Sequence, residues 1–568
     1  MKVALVGAEL EENLGLRYMA SSLERDGHEV VIVPFNTIND VDQSVAEIER
    51  FSPGIVGLSM VFTSRAREFC HLANTLRGRG YAGHIIGGGH FAALNCQRLL
   101  ADFPAFSSVG LGEGEQIICD LARDVDHPAG VAGLCYRSGD NGIRVNPSAG
   151  NPADLDALPF PRRTEFHSYF GIPIASILSS RGCWRNCAFC SINAWYKSGG
   201  GKKFRYRSVD NMVAEMCDLY HNHGIRAFNF QDDNFFLPET KQALERFVTI
   251  RRRLDEEGVD QIAIAIKARP DSITRETVQA LDELGLFRVF LGVENASENG
   301  LRNLNRLCNA RQVLDGLSML NEIDVHIAYN LLMFEPDTTM EDLRTNLCFM
   351  EQHVENPSNF CRAEAYAGTG LEEKLVGDGR LLGDYFGFDY RLKDPQCEAF
   401  HQIANHAFFE RNFSDFGLHY FNMQVDFFYQ LLRRFHPEVL NMTVRAAARN
   451  FIKETNLDTY ECLAMIYDFV AGHDPADQLM VKDFAREMRE EVDHRSEALY
   501  DRGEKIIQWL TNLYEQHGKP EESPVSAGQA IEGKAKSQSR LAIDDLFGIA
   551  PGVIPYEQFK KAVEEDRS

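Results

Sequence analysis

Between residues 2 and about 125, short runs of β-branched and aliphatic residues alternate with amphipathic segments. "KVALVG", "EVVIVPF", "GIVGLSM", "GHIIGGG" and "SSVGLG" are bounded by turn residues and read as strands. "ENLGLRYMASSLERDGH" and "RAREFCHLANTLRGRG" space their apolar residues three and four apart and read as helices. Strands alternating with helices of this length predict a parallel, doubly wound, Rossmann-like α/β domain over 1–130, with ligands at the strand ends. From "VAGLCYRSGDNGIRVNPSAG" to "NPADLDALPFPRR", the prolines and turn residues of 131–168 predict an extended linker. A second alternating series fills 169–380: "IASILSSRG", "IRAFNFQDD", "QIAIAIKARPD", "FRVFLGVEN", "VHIAYNLLMF" and "FCRAEAYAG". Six βα units predict a full or partial barrel with its chemistry at the C-terminal strand ends. Residues 381–518 lose the strand signal and become aromatic-rich and helix-periodic, so a mainly helical domain is expected. Its "GRLLGDYFGFDYRLKD" reads either as ordinary core or as part of a substrate pocket. Residues 519–568 are expected to be a largely disordered tail with a short terminal helix, "YEQFKKAVEEDR".

Composition narrows the setting. A chain of 568 residues is too long for one core, and no apolar run approaches the roughly 18–20 residues of a membrane span. A net charge of −24 argues against nucleic acid and anionic membrane as partners. Thirteen cysteines, mostly scattered singly, do not make a disulfide framework, and "MKVALVGAELEENLG" lacks the features of a signal peptide. A reducing cytoplasm is expected. The basic stretch "KSGGGKKFRYRS" reads as a solvated loop or as charge neutralisation beside an anionic cofactor.

Three cysteines break the scatter. "SSRGCWRNCAFCSI" puts Cys183, Cys187 and Cys190 together at the end of the first strand of the second series. Clustered thiolates in a reducing compartment are most often metal ligands. A structural zinc site needs a fourth ligand, and no Cys or His lies within ten residues downstream. An iron–sulfur cube held by three cysteines keeps one iron open to a small molecule.

Cys-x₃-Cys-x₂-Cys at that place, with Phe189 before the last cysteine, resembles the radical S-adenosylmethionine (SAM) superfamily. The resemblance implies a partial TIM-type barrel, a [4Fe–4S] cluster on Cys183, Cys187 and Cys190, and SAM chelating the fourth iron. One electron from the cluster would then cleave SAM to methionine and a 5′-deoxyadenosyl radical. It also implies that Phe189, Asp232, Asp233, Arg269, Glu294, Asn330 and Leu332 lie around SAM. Asp232 and Asp233 of "FQDDNFF" would approach its methionine end, although an acid pair can equally cap a helix. The fork of Arg269 suits a carboxylate. Glu294 of "LGVEN" suits ribose hydroxyls, and the apolar residues around Leu331 to Phe334 of "YNLLMFEPDTTMEDL" would lie near adenine. "AYAGTGLEEKL" resembles the turn closing the sixth strand, with Gly370 where the family usually has Pro.

A doubly wound domain ahead of such a barrel resembles the cobalamin (B12)-binding module of the cobalamin-dependent radical SAM class, and "DLDALPFPRR" resembles that class's linker. The matching segments are "GAELEENLG" (Glu9, Asn13, Leu14, Gly15), "GLSMVFTS" (Ser59, Met60, Thr63, Ser64), "GGGH" (Gly87, Gly88, Gly89, His90) and "GLGEGE" (Gly110, Gly112, Glu113). Glycines let backbone approach a large flat cofactor, and the hydroxyls suit its amide arms. The Asp-x-His-x-x-Gly signature of cobalamin mutases is absent: Leu10 and Glu12 stand at its Asp and His positions before Gly15. Cobalamin is therefore expected without an imidazole from that loop. His90 reads as a helix cap or tail contact.

The resemblance implies methylation of an unactivated carbon in a small-molecule or natural-product substrate, with methylcobalamin as methyl donor and a flavodoxin or ferredoxin as electron donor. The alternatives are rearrangement, ring contraction or cyclisation without methyl transfer, and an oxidoreductase or lyase with an empty B12-like domain. A cobalamin-responsive regulator would need neither the open iron nor the barrel.

Overall fold

The computed structural model describes residues 1–139, 142–414 and 417–517, so the expected tail over 519–568 lies outside the described residues. β1 (Lys2–Gly7), β2 (Glu29–Pro34), β3 (Ile55–Ser59), β4 (His84–Gly88) and β5 (Ser108–Gly110) form a parallel sheet in the order β2-β1-β3-β4-β5. The order reverses between β1 and β3, and loops leaving either side of such a switch open a crevice at the C-terminal strand ends. Helices Leu14–Arg25 and Gly114–Arg123 pack one face through Leu16, Leu23, Ile118 and Leu121. Helices Val41–Phe51 and Ala66–Gly78 pack the other through Val45, Ile48, Phe69 and Leu72. Asn13 starts the first helix, accepting from the Leu16 amide at 3.2 Å.

The linker expectation needs correction. Within 131–168, β6 (Leu134–Arg137) and β7 (Ile143–Val145) run antiparallel and extend the first sheet beyond β5. Leu134 and Cys135 are fully buried, so pairing and burial outweigh the turn residues around them.

β8 (His167–Tyr169) turns back into β9 (Ile172–Ile177). A ribbon of β10 (Ser180–Arg181) and β11 (Arg205–Tyr206) lies beyond the end of β9. β12 (Ala227–Phe230), β13 (Ala263–Ala268), β14 (Leu286–Leu291), β15 (His326–Phe334) and β16 (Ser358–Arg362) follow. With β9 they make six parallel strands of a partial barrel, ordered β16-β15-β14-β13-β12-β9, with β8 antiparallel at one edge and β16 free at the other. Ile177, Phe228, Ile264, Val289 and Ile327 face the surrounding helices. The alternating residues Ile174, Ala227, Ala263, Ala265, Phe287 and Ala328 face inward.

The C-terminal helices follow a short hairpin of β17 (Leu382–Asp384) and β18 (Gly387–Asp389). Helix Leu418–Phe435 packs Val425, Phe427, Phe428 and Leu431 against the small inward residues and fills the floor of the barrel. Below the apolar layer, His326 Nδ1 and Asp426 meet at 2.8 Å with no exposure, and Arg449 reaches the same carboxylate at 3.0 Å. Part of the C-terminal domain therefore seals the end of the barrel opposite the cysteines. Among the described residues no helix is long and apolar enough to cross a membrane.

Candidate active site

The cysteine loop is fastened from several sides. Gly182 has φ +82°, and a Cβ there would collide with the Lys203 carbonyl. Its N–H donates to Asp233 at 3.0 Å. The Ala188 amide donates to the Leu304 carbonyl at 2.9 Å, and the Ala188 carbonyl accepts from Leu371 at 2.8 Å. Cys190 is the cap residue of helix Ser191–Gly199. All three cysteines are half-buried. Burial raises the Cys183 thiol and pushes Cys190 up to about 12, so cluster assembly must expel protons from thiols held neutral. Among the described residues no three His, Cys, Asp or Glu side chains converge as one bound ion requires. A cluster would take each thiolate on a different iron, so it does not require the three donors to converge on one point.

Two guanidinium groups converge on this loop. Cys187 Sγ accepts from Arg306 Nη1 at 3.2 Å and Arg269 Nη1 at 3.5 Å. Arg306 is 4% exposed, and its loop neighbours Asn305 and Leu307 both hold positive φ, of 51° and 53°. Such strain persists only where the surroundings demand it. Glu294 also has positive φ, 64°, and lies 3.9 Å from Arg306. Its backbone bridges to β15, its N–H donating to the Asn330 carbonyl at 3.1 Å and its carbonyl accepting from Leu332. Burial raises the Glu294 carboxyl despite Arg306 and Arg269. Arg269, Glu294, Asn330 and Leu332 thus come together at the barrel mouth, and Arg306, which sequence reasoning missed, joins them. Phe189 packs on the edge of the barrel core. Trp184 donates to the Phe236 carbonyl at 3.3 Å, and Arg185 lies 4.2 Å over its ring while pairing with Asp271. Asp271 also pairs with Arg269 at 2.9 Å.

The acid pair divides, which corrects the expectation for Asp232. It is fully buried, and its oxygens accept from the Ser179 amide at 3.1 Å, the Ser179 hydroxyl at 2.8 Å and the Ser180 hydroxyl. It braces the turn after β9 and does not face the mouth. Asp233 does face the mouth, beside Gln231. Burial pushes its carboxyl up to about 6, with Lys267 and the Gly182 N–H acting against that rise. An unfolded Asp titrates near about 4. The folded chain therefore binds more protons between these values, and stability from this group falls as pH rises through that window. Asp233→Asn is expected to remove the loss: its unfolding midpoint gains on the parent chain as pH rises from 4 to 7. A constant difference across that range contradicts the assignment.

A cavity of about 360 Å³ lies between the ends of the first sheet and the barrel mouth. Of the residues expected at cobalamin, Asn13, Gly15, Ser59, Gly87, Gly88, Gly89, His90, Gly110, Gly112 and Glu113 line it, opposite Arg181, Trp195, Tyr196, Gln231 and Asp233. A Cβ on Gly88 would stand in open space, so the wall there is bare backbone able to approach a flat ligand. His90 packs on Trp195 at 4.6 Å between ring centroids, and burial pushes it down to about 4, leaving a neutral ring. Four expected residues are placed elsewhere. Leu14 and Met60 are core, Thr63 and Ser64 form a short turn off the cavity wall, and none of the four lines the space. Glu9 is also diverted, pairing with Arg17 at 2.5 Å.

Buried ion pairs lock the two sheets around this cavity. Glu113 receives Arg181 at 3.0 Å and Arg205 through both of its terminal nitrogens, and Arg181 reaches Glu115 at 2.6 Å. Arg163 bridges Glu12 and Glu215, each at 2.7 Å, and Glu12 accepts from the Ser176 amide at 2.6 Å. The basic stretch is thus consumed in part by buried carboxylates, Arg205 on Glu113 of the loop after β5 and Arg207 on Glu215 of the helix Val209–His223.

Comparison with known proteins agrees with this arrangement. Residues 3–122 match the B12 binding domain and residues 177–347 match the Radical SAM superfamily. The chain belongs to the radical SAM superfamily, in the class that carries a B12-binding domain. It is 26% identical over 378 residues to an uncharacterized methyltransferase of Pyrococcus horikoshii, covering 65% of this chain and 79% of that protein. It is 27% identical over 339 residues to hopanoid C-3 methylase of Methylococcus capsulatus, covering 58% and 62%. Its fold matches the cobalamin-dependent S-adenosylmethionine radical enzyme OxsB with a TM-score of 0.66 at 15% identity, over 91% of this chain and 84% of that one.

Proposed function

We propose that this chain is a cytoplasmic cobalamin-dependent radical SAM methyltransferase acting on an unactivated carbon of a small-molecule or natural-product-type substrate, with a flavodoxin or ferredoxin as electron donor. The single observation that carries the reading is the shared cavity, which puts the glycine-lined strand ends of one sheet opposite Arg181, Gln231 and Asp233 at the barrel mouth, where Asp233 accepts from Gly182 at the start of the cysteine loop. When bound, the cluster supplies the electron that cleaves SAM and cobalamin supplies the methyl group. Cys183, Cys187 and Cys190 would hold the cluster. Arg306 and Arg269, two forks beside Cys187, suit the SAM carboxylate, and Glu294 suits its ribose. Gly87, Gly88, Gly89, Gly110 and Gly112 would seat cobalamin, with Ser59 and Asn13 bonding its polar arms. The apolar floor and the ion-pair locks exclude water from the space where a radical must survive. The names of the relatives favour methyl transfer over rearrangement or an empty first domain.

The test is product mass. Reconstituted enzyme with SAM, a reductant and candidate substrates should release 5′-deoxyadenosine together with a product heavier by one methylene. Deoxyadenosine release with a product of unchanged mass would favour rearrangement and refute methylation.

A further inference from the structure

We propose that a second pocket, at the free edge of the barrel where Arg362 and Glu364 face His401 and Asn405, anchors the substrate through a neutral amide-like edge, a carbonyl accepting from Arg362 beside an N–H donating to Glu364. The inference rests on the reading that the barrel mouth receives a substrate.

β16 is the edge strand of the barrel and ends at Arg362, so its last residues border the lateral gap in the wall. Arg362 is 6% exposed and firmly held on one side. Its Nη1 donates to Asp389 at 2.6 Å and to the Tyr390 carbonyl at 3.1 Å, while the Tyr390 ring lies 4.6 Å from the guanidinium. The other edge is different. Among the described residues, neither Nε nor Nη2 has a hydrogen-bond acceptor, although both are buried. Glu364 Oε1 stands 3.8 Å from Nη2, too far for a hydrogen bond. A buried donor left unpaired is destabilising, so this edge calls for an occupant. The pocket it faces encloses about 20 Å³, walled by Phe334, Phe360 and Phe413. That is room for the end of a ligand and not for a whole one.

Charge selects the chemistry. Asp389 already neutralises Arg362, and Glu364 adds a further carboxyl group. Burial, with Asp389 adding to it and Arg362 opposing it, pushes Glu364 up to about 7. Burial and Arg362 push His401 down to about 3, so it brings no positive charge. A carboxylate ligand would meet no free cation and one more acid. A group with an acceptor next to a donor matches the Nε–Nη2 fork and the Glu364 oxygen without added charge. The pocket also borders the SAM side: Cys361 in its wall has its thiol raised by burial, by Glu294 and by Glu364.

The test uses the full chain loaded with cluster and cobalamin, and benzamide against benzoate as probes in ligand-observed NMR titrations, with and without saturating SAM. Benzamide is expected to bind at least about fivefold more tightly than benzoate. Arg362→Lys and Glu364→Ala should each weaken it at least about fivefold, with unchanged circular dichroism, iron and cobalt. Equal or tighter binding of benzoate, no detectable benzamide binding, or benzamide binding unaltered in both variants would overturn the proposal. So would displacement of benzamide by SAM, which would place the adenine edge in the pocket. A preparation that holds both cofactors but fails these tests leaves the enzyme class standing. One that takes up neither cofactor fails the class itself.

Discussion

Replacing Cys183, Cys187 and Cys190 together with alanine should bring bound iron and sulfide to background and end release of 5′-deoxyadenosine from SAM, while cobalamin uptake persists. The expectation follows from what each thiol does in the fold. None makes a disulfide, and the loop that carries them is held mainly by backbone contacts, from Gly182 to Asp233 and from Ala188 to Leu304 and Leu371. Losing a half-buried thiol at such a position costs little stability, typically within about 1 kcal/mol for each. The cavity walls that would seat cobalamin belong to other segments. Iron and sulfide analysis, cobalt analysis and the deoxyadenosine assay separate the outcomes. Iron retained at the parent level in the triple variant would remove the assignment of the cluster to these residues.

The second large effect concerns the lock around the cavity. In Glu113→Ala, Arg181 keeps Glu115, but Arg205 keeps only the Pro152 carbonyl, at 2.7 Å. A buried charge stripped of its partner costs about 3–5 kcal/mol. The loss should fall on the contact between the sheets more than on either sheet, since Glu113 belongs to the first and both arginines to the β10–β11 ribbon. The expected result is easier proteolysis of the connecting segment after β7 and a drop in retained cobalamin. The exposed Lys2–Glu29 pair, at 3.5 Å, supplies the control, because such pairs are worth about 0–1 kcal/mol. Unchanged proteolysis and cobalamin retention in Glu113→Ala would show that the ion pairs do not hold the sheets together.

These two effects mark what was legible in the sequence. The strand pattern located β1 to β5 and the six barrel strands, because most of them are short apolar runs bounded by turn residues and buried in a parallel sheet. The cysteine spacing was readable because three thiolates within one loop have few other uses. β6 and β7 were not, being short, polar-flanked strands that form only because β5 offers an edge. Asp232 was misassigned because two adjacent acids at a strand end point opposite ways, and only the fold shows that Ser179 and Ser180 occupy one of them. Arg306 carried no signal in "NLNRLCN"; its role arises from a strained loop folding back onto Cys187. Glu12 and Glu113 share one reason: their arginine partners lie in other elements, and local pattern cannot pair charges so far apart in the chain. The helix over Leu418–Phe435 was legible as a helix, but its position in the barrel floor depends on the small residues Ala227, Ala263, Ala265 and Ala328 leaving room for it.

On this reading one chain would hold a three-cysteine cluster at the barrel mouth and a cobalamin against the strand ends of the first sheet. Anaerobic reconstitution with iron, sulfide and hydroxocobalamin, followed by desalting, a visible spectrum and metal analysis, tests it most directly. The account predicts one cluster and one cobalamin per chain, with the cluster lost and the cobalamin kept in the triple cysteine variant. A chain that takes up the cluster but no cobalt would contradict it.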